Sequence, residues 1–253
     1  MNVKTEPFKI SSAYYDMLYK DKDYRAECSY VNNLISKYNP GATSIIELGS
    51  GTGTYSKLLS ELGFSITGIE LELEMNAIAV GKKIPNFSCV TSDITQFNLN
   101  KQYDVAVALF HVISYLNTNE QLISCFKQVS EHLRKNGVFI FDVWFSPAVY
   151  HLKPVKRVKN LENEKIELTR RAEPVMFFDK NVVQVNYEVS VKSKMDGQVI
   201  NFREEHNMRH YSTPEIMLIA GLSGMEIVAA EEFLTGNEPS DETWGVCYIL
   251  QKS

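Results

Sequence analysis

The residues best placed to do chemistry begin at Ile45-Ile46-Glu47-Leu48-Gly49-Ser50-Gly51-Thr52-Gly53. An apolar run enters three alternating glycines. Glycine permits positive φ and lets a ligand come close to the backbone. A helix that follows offers N–H groups with no partner of their own. A dinucleotide fingerprint GxGxxG would need glycine at 54, which is Thr54. A phosphate loop GxxxxGK[ST] fails too, since no lysine follows in register. Glu47 would repel a pyrophosphate, whereas it could hold an ammonium, directly or through the loop. Two further acids, Glu70 and Asp93, fall at what read as successive strand ends. Glu70 can accept from both hydroxyls of a ribose, and Asp93 from the amino group of an adenine. Alone, the first could be a surface acid and the second a turn cap. Together with the loop they point to an adenosyl ligand.

The elements that must position these groups alternate. Helical spacing is predicted over 24–38, stopped by Asn39-Pro40-Gly41, then over 54–62, 72–82 and 119–133, the last stopped by Asn136-Gly137. Strands are expected over 44–48, 64–69, 87–91, 103–110 and 138–143. Their continuous apolar character fits βαβ units and a parallel sheet covered on both faces. After Pro147 the pattern changes. Val183, Val185, Tyr187, Val189 and Val191 alternate with polar residues, Asp196-Gly197 signals a hairpin, and 199–209 returns. The expectation is a small antiparallel insertion over 148–210, acting as a lid, set into a main domain formed by 1–147 and 211–253. The alternating Lys153 to Lys159 stretch reads as a strand with a solvated basic face. A helix over 213–222 is expected to carry Thr213 as cap and Pro214 at its first position, before final strands over 225–231 and 243–250.

Composition narrows the function. Of 253 residues, 44% are hydrophobic and 23% charged, the range of a globular chain, and the net charge is -5, which disfavours nucleic acid as partner. No apolar run approaches a membrane span, and Met1 to Ile10 lacks the apolar core of a secretory signal, so a cytoplasmic location is expected. The four cysteines form no CxxC pair and read as buried free thiols, and no cluster has metal spacing.

Glu47-x-Gly49-x-Gly51-x-Gly53, Glu70 and Asp93 resemble the first motifs of class I methyltransferases over about 44–143. That resemblance implies S-adenosyl-L-methionine as cofactor and a Rossmann-like α/β fold: a seven-stranded sheet whose last strand is antiparallel. Ser50, Leu71, Ile94, Leu109 and Phe110 would complete the cofactor's lining. Shorter stretches are similar to N-methyltransferases of nucleotide-linked 3-amino deoxysugars, the desosamine and mycaminose enzymes: Tyr15-Asp16-Met17-Leu18-Tyr19, Lys22-Asp23-Tyr24, Phe110 to Leu116, Asp142 to Pro147, and His206 to Tyr211. By that resemblance Tyr24 touches the cofactor, Tyr15 the substrate, and Trp144, Phe145 and Ser146 line the sugar site. The group often has histidine in place of Tyr115, serine in place of His111, and near the C-terminus an arginine where this chain has Trp244.

Methyl transfer from a sulfonium is an in-line displacement, so the protein mainly aligns the reacting atoms and excludes water. An amine needs only to be deprotonated, while a hydroxyl needs a base. His111 is the histidine nearest the expected methyl group, and Tyr15 and Tyr115 could orient the nucleophile. Each has a plain alternative as a packed residue with a satisfied hydrogen bond. His206 and His210 read as structural and His132 as a surface residue. The leading reading is N-methylation of a nucleotide-linked amino sugar. The others are O- or N-methylation of another small metabolite, and a methyltransferase fold that binds without catalysis. A homodimer through the exposed lid strands is open.

Overall fold

A computed structural model describes residues 3–5, through their backbone, and 7–253. The elements run β1 (Val3–Thr5), a 3-10 turn (Ser11–Tyr14), α1 (Tyr15–Leu18), α2 (Tyr24–Tyr38), β2 (Ser44–Leu48), α3 (Thr54–Glu61), β3 (Ser65–Glu70), α4 (Leu73–Gly81), β4 (Phe87–Thr91) and β5 (Tyr103–Ala108). A second 3-10 turn (Val112–Tyr115) leads to α5 (Asn119–His132), β6 (Leu133–Trp144), α6 (Ser146–Leu152), β7 (Arg157–Glu162), β8 (Ile166–Phe177), β9 (Val182–Ser193), β10 (Val199–Arg209), α7 (Thr213–Leu222), β11 (Met225–Glu232) and β12 (Gly245–Lys252).

Seven strands form one sheet in the order β11-β12-β6-β5-β2-β3-β4. The strands from β6 to β4 pair in parallel, and β12 runs antiparallel to both of its neighbours. This is the expected Rossmann-like sheet. Val105, Ala106, Val107 and Ala108 have no exposed surface, because helices cover both sides. Ile46, Ala106, Phe139 and Phe141 meet the α5 side chains Leu122, Phe126 and Val129. Ile45, Val105, Val107 and Ile140 meet Val31, Leu34 and Ile35 of α2 and Leu59 of α3. Parallel order brings the carboxyl ends of β2, β3, β4 and β5 to one edge, where a ligand crevice forms in open α/β sheets.

A second sheet, in the order β1-β10-β9-β8-β7, is antiparallel except where β1 lies parallel to β10. Its inner face packs Leu168, Val189, Val191 and Phe202 on Leu18 of α1. Among the described residues no helix is long and apolar enough to cross a membrane.

Several expectations need correction. The Asn136-Gly137 pair does not stop a helix. α5 ends at His132 and β6 starts at once, with Asn136 at φ 61° inside an irregularity between Leu133 and Val138. The α7 cap is Ser212, not Thr213: its N–H and hydroxyl donate to Glu215 Oε2 at 3.0 and 2.9 Å, and Pro214 takes the second position. Lys153 to Lys156 are not strand, since Lys153 turns at φ 56° after α6 and β7 begins only at Arg157. His132 is buried, with Nδ1 2.7 Å from Gln128 O and Nε2 accepting from Leu99 N at 3.2 Å.

Candidate active site at the carboxyl edge of the sheet

The glycine loop joins β2 to α3 at that edge. Gly49, at φ 62°, has no room for a side chain: a Cβ would meet Val112 Cγ2 at 2.6 Å. Gly51 is different. It also needs positive φ, 55°, yet its missing Cβ faces open space, with Met75 Sδ the nearest atom at 3.9 Å. The loop therefore bares its backbone at Gly51, where a side chain would fill a cradle. That is the fit an extended, partly polar cofactor requires.

Glu70 closes the loop from the end of β3. Gly51 N donates to its Oε2 at 2.6 Å and Glu72 N to its Oε1 at 2.9 Å. Burial pushes its carboxyl up, while these N–H groups pull the other way. Leu71, 60% exposed, follows at the rim. After β4, Asp93 Oδ1 accepts from Thr95 N and Oγ1, both at 2.8 Å, which leaves Oδ2 outside the turn. Ile94 packs from there onto the core. Ser50 N donates to Ile69 O at 3.1 Å, tying the loop to β3.

Glu47 lies behind the loop. It is 1% exposed and accepts from Ser56 Oγ of α3. Burial raises its carboxyl to about 8; the Ser56 hydroxyl opposes the rise and Glu70 adds to it.

After β5 come the buried Leu109, then Phe110 and His111 at φ 68° and 62°. Two consecutive non-glycine residues there cost roughly 1–2 kcal/mol each, so something must hold them. Asp142 does. It is 1% exposed, at the end of β6, and accepts from His111 N at 3.2 Å through both oxygens. His111 Nδ1 stands 2.6 Å from Oδ2, without the alignment of a hydrogen bond. Burial would raise Asp142, but His111 and the more distant Lys22 bring it below the usual carboxylate range.

Around this edge stands an aromatic cluster. Tyr24 meets Tyr55 at 5.0 Å between ring centroids, and Lys22 Nζ lies 4.2 Å from the Phe110 ring. Tyr19 contacts Tyr15 at 4.8 Å and Phe110 at 4.9 Å. Trp144 lies 6.1 Å from His111 and 5.7 Å from Trp244. The other two residues expected in the sugar site turn inward. Phe145 belongs to the main core, 8% exposed, and the buried Ser146 hydroxyl lies 2.8 Å from His210 Nδ1. They follow the last residue of β6, where the chain bends into α6 and away from the cleft.

Sequence reasoning missed a buried polar chain. Tyr115 Oη lies 2.7 Å from His206 Nδ1, and His206 Nε2 lies 3.2 Å from Glu204 Oε2. Glu204 also accepts from Ser11 N at 3.1 Å and Ser11 Oγ at 2.8 Å. One histidine thus links a phenol that meets Phe8 to a carboxylate on the second sheet. The two acids carried a readable signal. Asp142 interrupts the apolar run 138–143, and Glu204 and His206 share the inward parity of β10 with Phe202 and Met208.

A family model described as a methyltransferase domain matches residues 20–211. Among curated proteins, the chain is 30% identical over 138 residues to a dTDP-3-amino-3,4,6-trideoxy-alpha-D-glucopyranose N,N-dimethyltransferase of Streptomyces venezuelae, covering 54% of this chain and 58% of that one. The chain spans a little over half the length of the sugar dimethyltransferases it matches. Among solved structures, a sugar N-methyltransferase from a Streptoalloteichus species superposes with a TM-score of 0.81 at 21% identity, covering 94% of this chain and 93% of that one. An S-adenosylmethionine-dependent methyltransferase of Clostridium acetobutylicum gives 0.79 at 20% identity, covering 97% and 98%. The glycine cradle, the acids at three strand ends and a family match across most of the chain agree: this protein belongs to the S-adenosylmethionine-dependent methyltransferase domain family.

Proposed function

We propose that the protein methylates the amine of a nucleotide-linked amino sugar. The observation that carries this reading is the aromatic pocket between the N-terminal segment and the second sheet, lined by Tyr15, Tyr19, Tyr187, Glu204 and His206, the last of which bonds Tyr115. Relatives whose names specify dTDP-linked amino-sugar N,N-dimethyltransferases support the substrate class.

The cofactor, when bound, supplies an activated methyl group. The chain's own residues do the rest. Gly51 and Glu70 present the cradle, and Asp93 Oδ2 offers an acceptor at its far side. Tyr15 and Trp144 give flat apolar faces that suit the C–H surface of a sugar. An acceptor amine enters largely protonated and must shed a proton before it attacks. Tyr115 can receive that proton only by passing its own to His206 Nδ1, while Glu204 holds His206 Nε2–H and so fixes the tautomer that accepts. The second sheet, with the segment 148–210 that contains most of it, is the lid that keeps water from this step.

The test is turnover. Purified protein incubated with S-adenosylmethionine and a dTDP-linked 3-amino-3,6-dideoxyhexose should give a product carrying one or two added methyl groups by mass spectrometry. Turnover of hydroxyl acceptors with none on amino sugars would refute the proposal and favour another small metabolite.

A further inference from the structure

The inner face of the second sheet holds a cation that the fold does not neutralise. Arg170 of β8 points the same way as Leu168, toward α1. Its guanidinium lies between two phenol rings, 5.4 Å from the centroid of Tyr19 and 4.7 Å from that of Tyr187. One bond anchors it: Nη1 donates to Tyr19 Oη at 3.1 Å. Burial acts against its charge, and the groups that support the charge are the phenols of Tyr19, Tyr187 and Tyr115 rather than carboxylates. Glu204 lines the same pocket, but its oxygens are already engaged by Ser11 and His206. A guanidinium carries five N–H donors in a planar fork and is costly to desolvate without an anion.

The charge does not stand alone. Register places Lys159 of β7 directly opposite Arg170, and Arg157 lies two residues along the same strand with the same parity, opposite Ala172. Lys159 is tied down, donating to Leu18 O at 2.7 Å and pairing with Asp21 at 3.6 Å, so the free charge is that of the two arginines. Arg157 is exposed. Three cations therefore cluster on paired strands of the second sheet, in a chain whose net charge is -5. Such a local reversal of sign attracts an anionic ligand.

We propose that Arg170, with Arg157 at the rim, forms an anion subsite on the lid that takes the diphosphate of the substrate. This rests on the nucleotide-sugar reading above and extends it by naming residues that bind the nucleotide half. Planar guanidinium groups match phosphate oxygens two at a time. Tyr19 and Tyr187 keep the Arg170 fork in place before the ligand arrives.

Binding can be measured without turnover. Thymidine diphosphate, inorganic pyrophosphate and thymidine are titrated calorimetrically into wild type, Arg170→Gln, Arg170→Lys and Arg157→Gln. Arg170→Gln should weaken thymidine diphosphate and pyrophosphate by about tenfold or more, as loss of a charge-assisted pair does. Arg170→Lys should recover part of that loss, and exposed Arg157→Gln should cost about two- to fivefold. Thymidine should bind all four proteins alike, and S-adenosylmethionine affinity should be unchanged. If Arg170→Gln loses cofactor affinity through misfolding, Arg170→Lys and Arg157→Gln carry the comparison. Equal diphosphate affinity across the series, or no diphosphate binding by wild type, overturns the subsite. Diphosphate binding that depends on Arg170 in a protein that methylates no amino sugar upholds the subsite and removes the acceptor reading alone.

Discussion

Glu47 should make the free protein less stable as pH rises, against the usual behaviour of a carboxylate. It is 1% exposed, and its hydrogen-bond partner is the Ser56 hydroxyl. Burial lifts it from an ordinary 4.5 to about 8. Between those values the folded chain keeps a proton that the unfolded chain has released. The unfolded state then binds fewer protons, so the stability contributed by this site falls by about 1.4 kcal/mol per pH unit across that window. At pH 7, roughly 2.5 units above the ordinary value, the accumulated cost is about 3 kcal/mol. Glu47→Gln stays neutral at every pH and keeps an acceptor for Ser56 Oγ. Its amide hydrogens find no acceptor there, which subtracts about 1–3 kcal/mol from the variant at all pH values alike. The informative quantity is therefore the slope of the difference.

The assay is urea unfolding of wild type and Glu47→Gln at matched ionic strength from pH 5 to pH 8, without cofactor. Groups common to both proteins cancel. Wild type should lose about 3.5 kcal/mol relative to the variant across that range. A difference that is flat, or that moves in favour of wild type as pH rises, would show that the carboxyl is ionised in the folded chain and refute the reasoning. The same site links stability to binding. A cationic cofactor on the far side of the loop favours the ionised carboxyl, so S-adenosylmethionine binding near pH 7 should release protons in wild type and fewer in Glu47→Gln. Calorimetric heats in buffers of different ionisation enthalpy read that release.

Gly51→Val places a branched side chain in the open cradle and forces it to φ 55°; S-adenosylmethionine affinity should fall by about a hundredfold or more, with ~1–2 kcal/mol of strain in denaturant unfolding, and unchanged calorimetric affinity would move the site elsewhere. Asp93→Ala removes the acceptor beyond β4 and should weaken cofactor binding by ~1–3 kcal/mol by the same titration. Tyr211→Phe deletes a buried hydroxyl that donates to Ile113 O at 3.2 Å and Leu116 O at 2.8 Å. It should cost ~1–3 kcal/mol of stability and, because those carbonyls flank Tyr115, lower kcat while leaving cofactor affinity within about twofold of wild type.

The seven-stranded sheet and the places of its glycine loop and acids were legible because their determinants are local. Continuous apolar strands can only be buried on both faces, and each delivers its loop or acid within a few residues of its own end, as Glu70 and Asp93 do. The second sheet was harder to read. β8 alternates correctly, but Arg170 and Pro174 occupy inward positions and hide the period. β1 is three residues long and finds its partner some two hundred residues away. α6 begins with Ser146-Pro147, a sequence equally at home in a turn. His206 looked structural because its partners, Tyr115 and Glu204, meet it only in three dimensions.

Where the second sheet meets the rest of the chain, Tyr19 touches groups on both sides. Tyr19 packs its ring edge-on to Phe110 just after β5, meets the Tyr15 ring at a tilt, and accepts a hydrogen bond from Arg170 on the second sheet. A shift of β8 therefore reaches the aromatic wall beside the reacting groups through Tyr19, without any movement of the glycine loop. Tyr55 and Tyr24 sit on the other side of Phe110, anchored through Glu27 and Lys22 to α2. The second sheet can consequently vary its inner face while the glycine loop keeps its geometry. On this reasoning substitutions at Arg170 or Tyr187 act on acceptor binding, those at Gly51 or Glu70 on cofactor binding, and Tyr19 is the position at which a single substitution disturbs both.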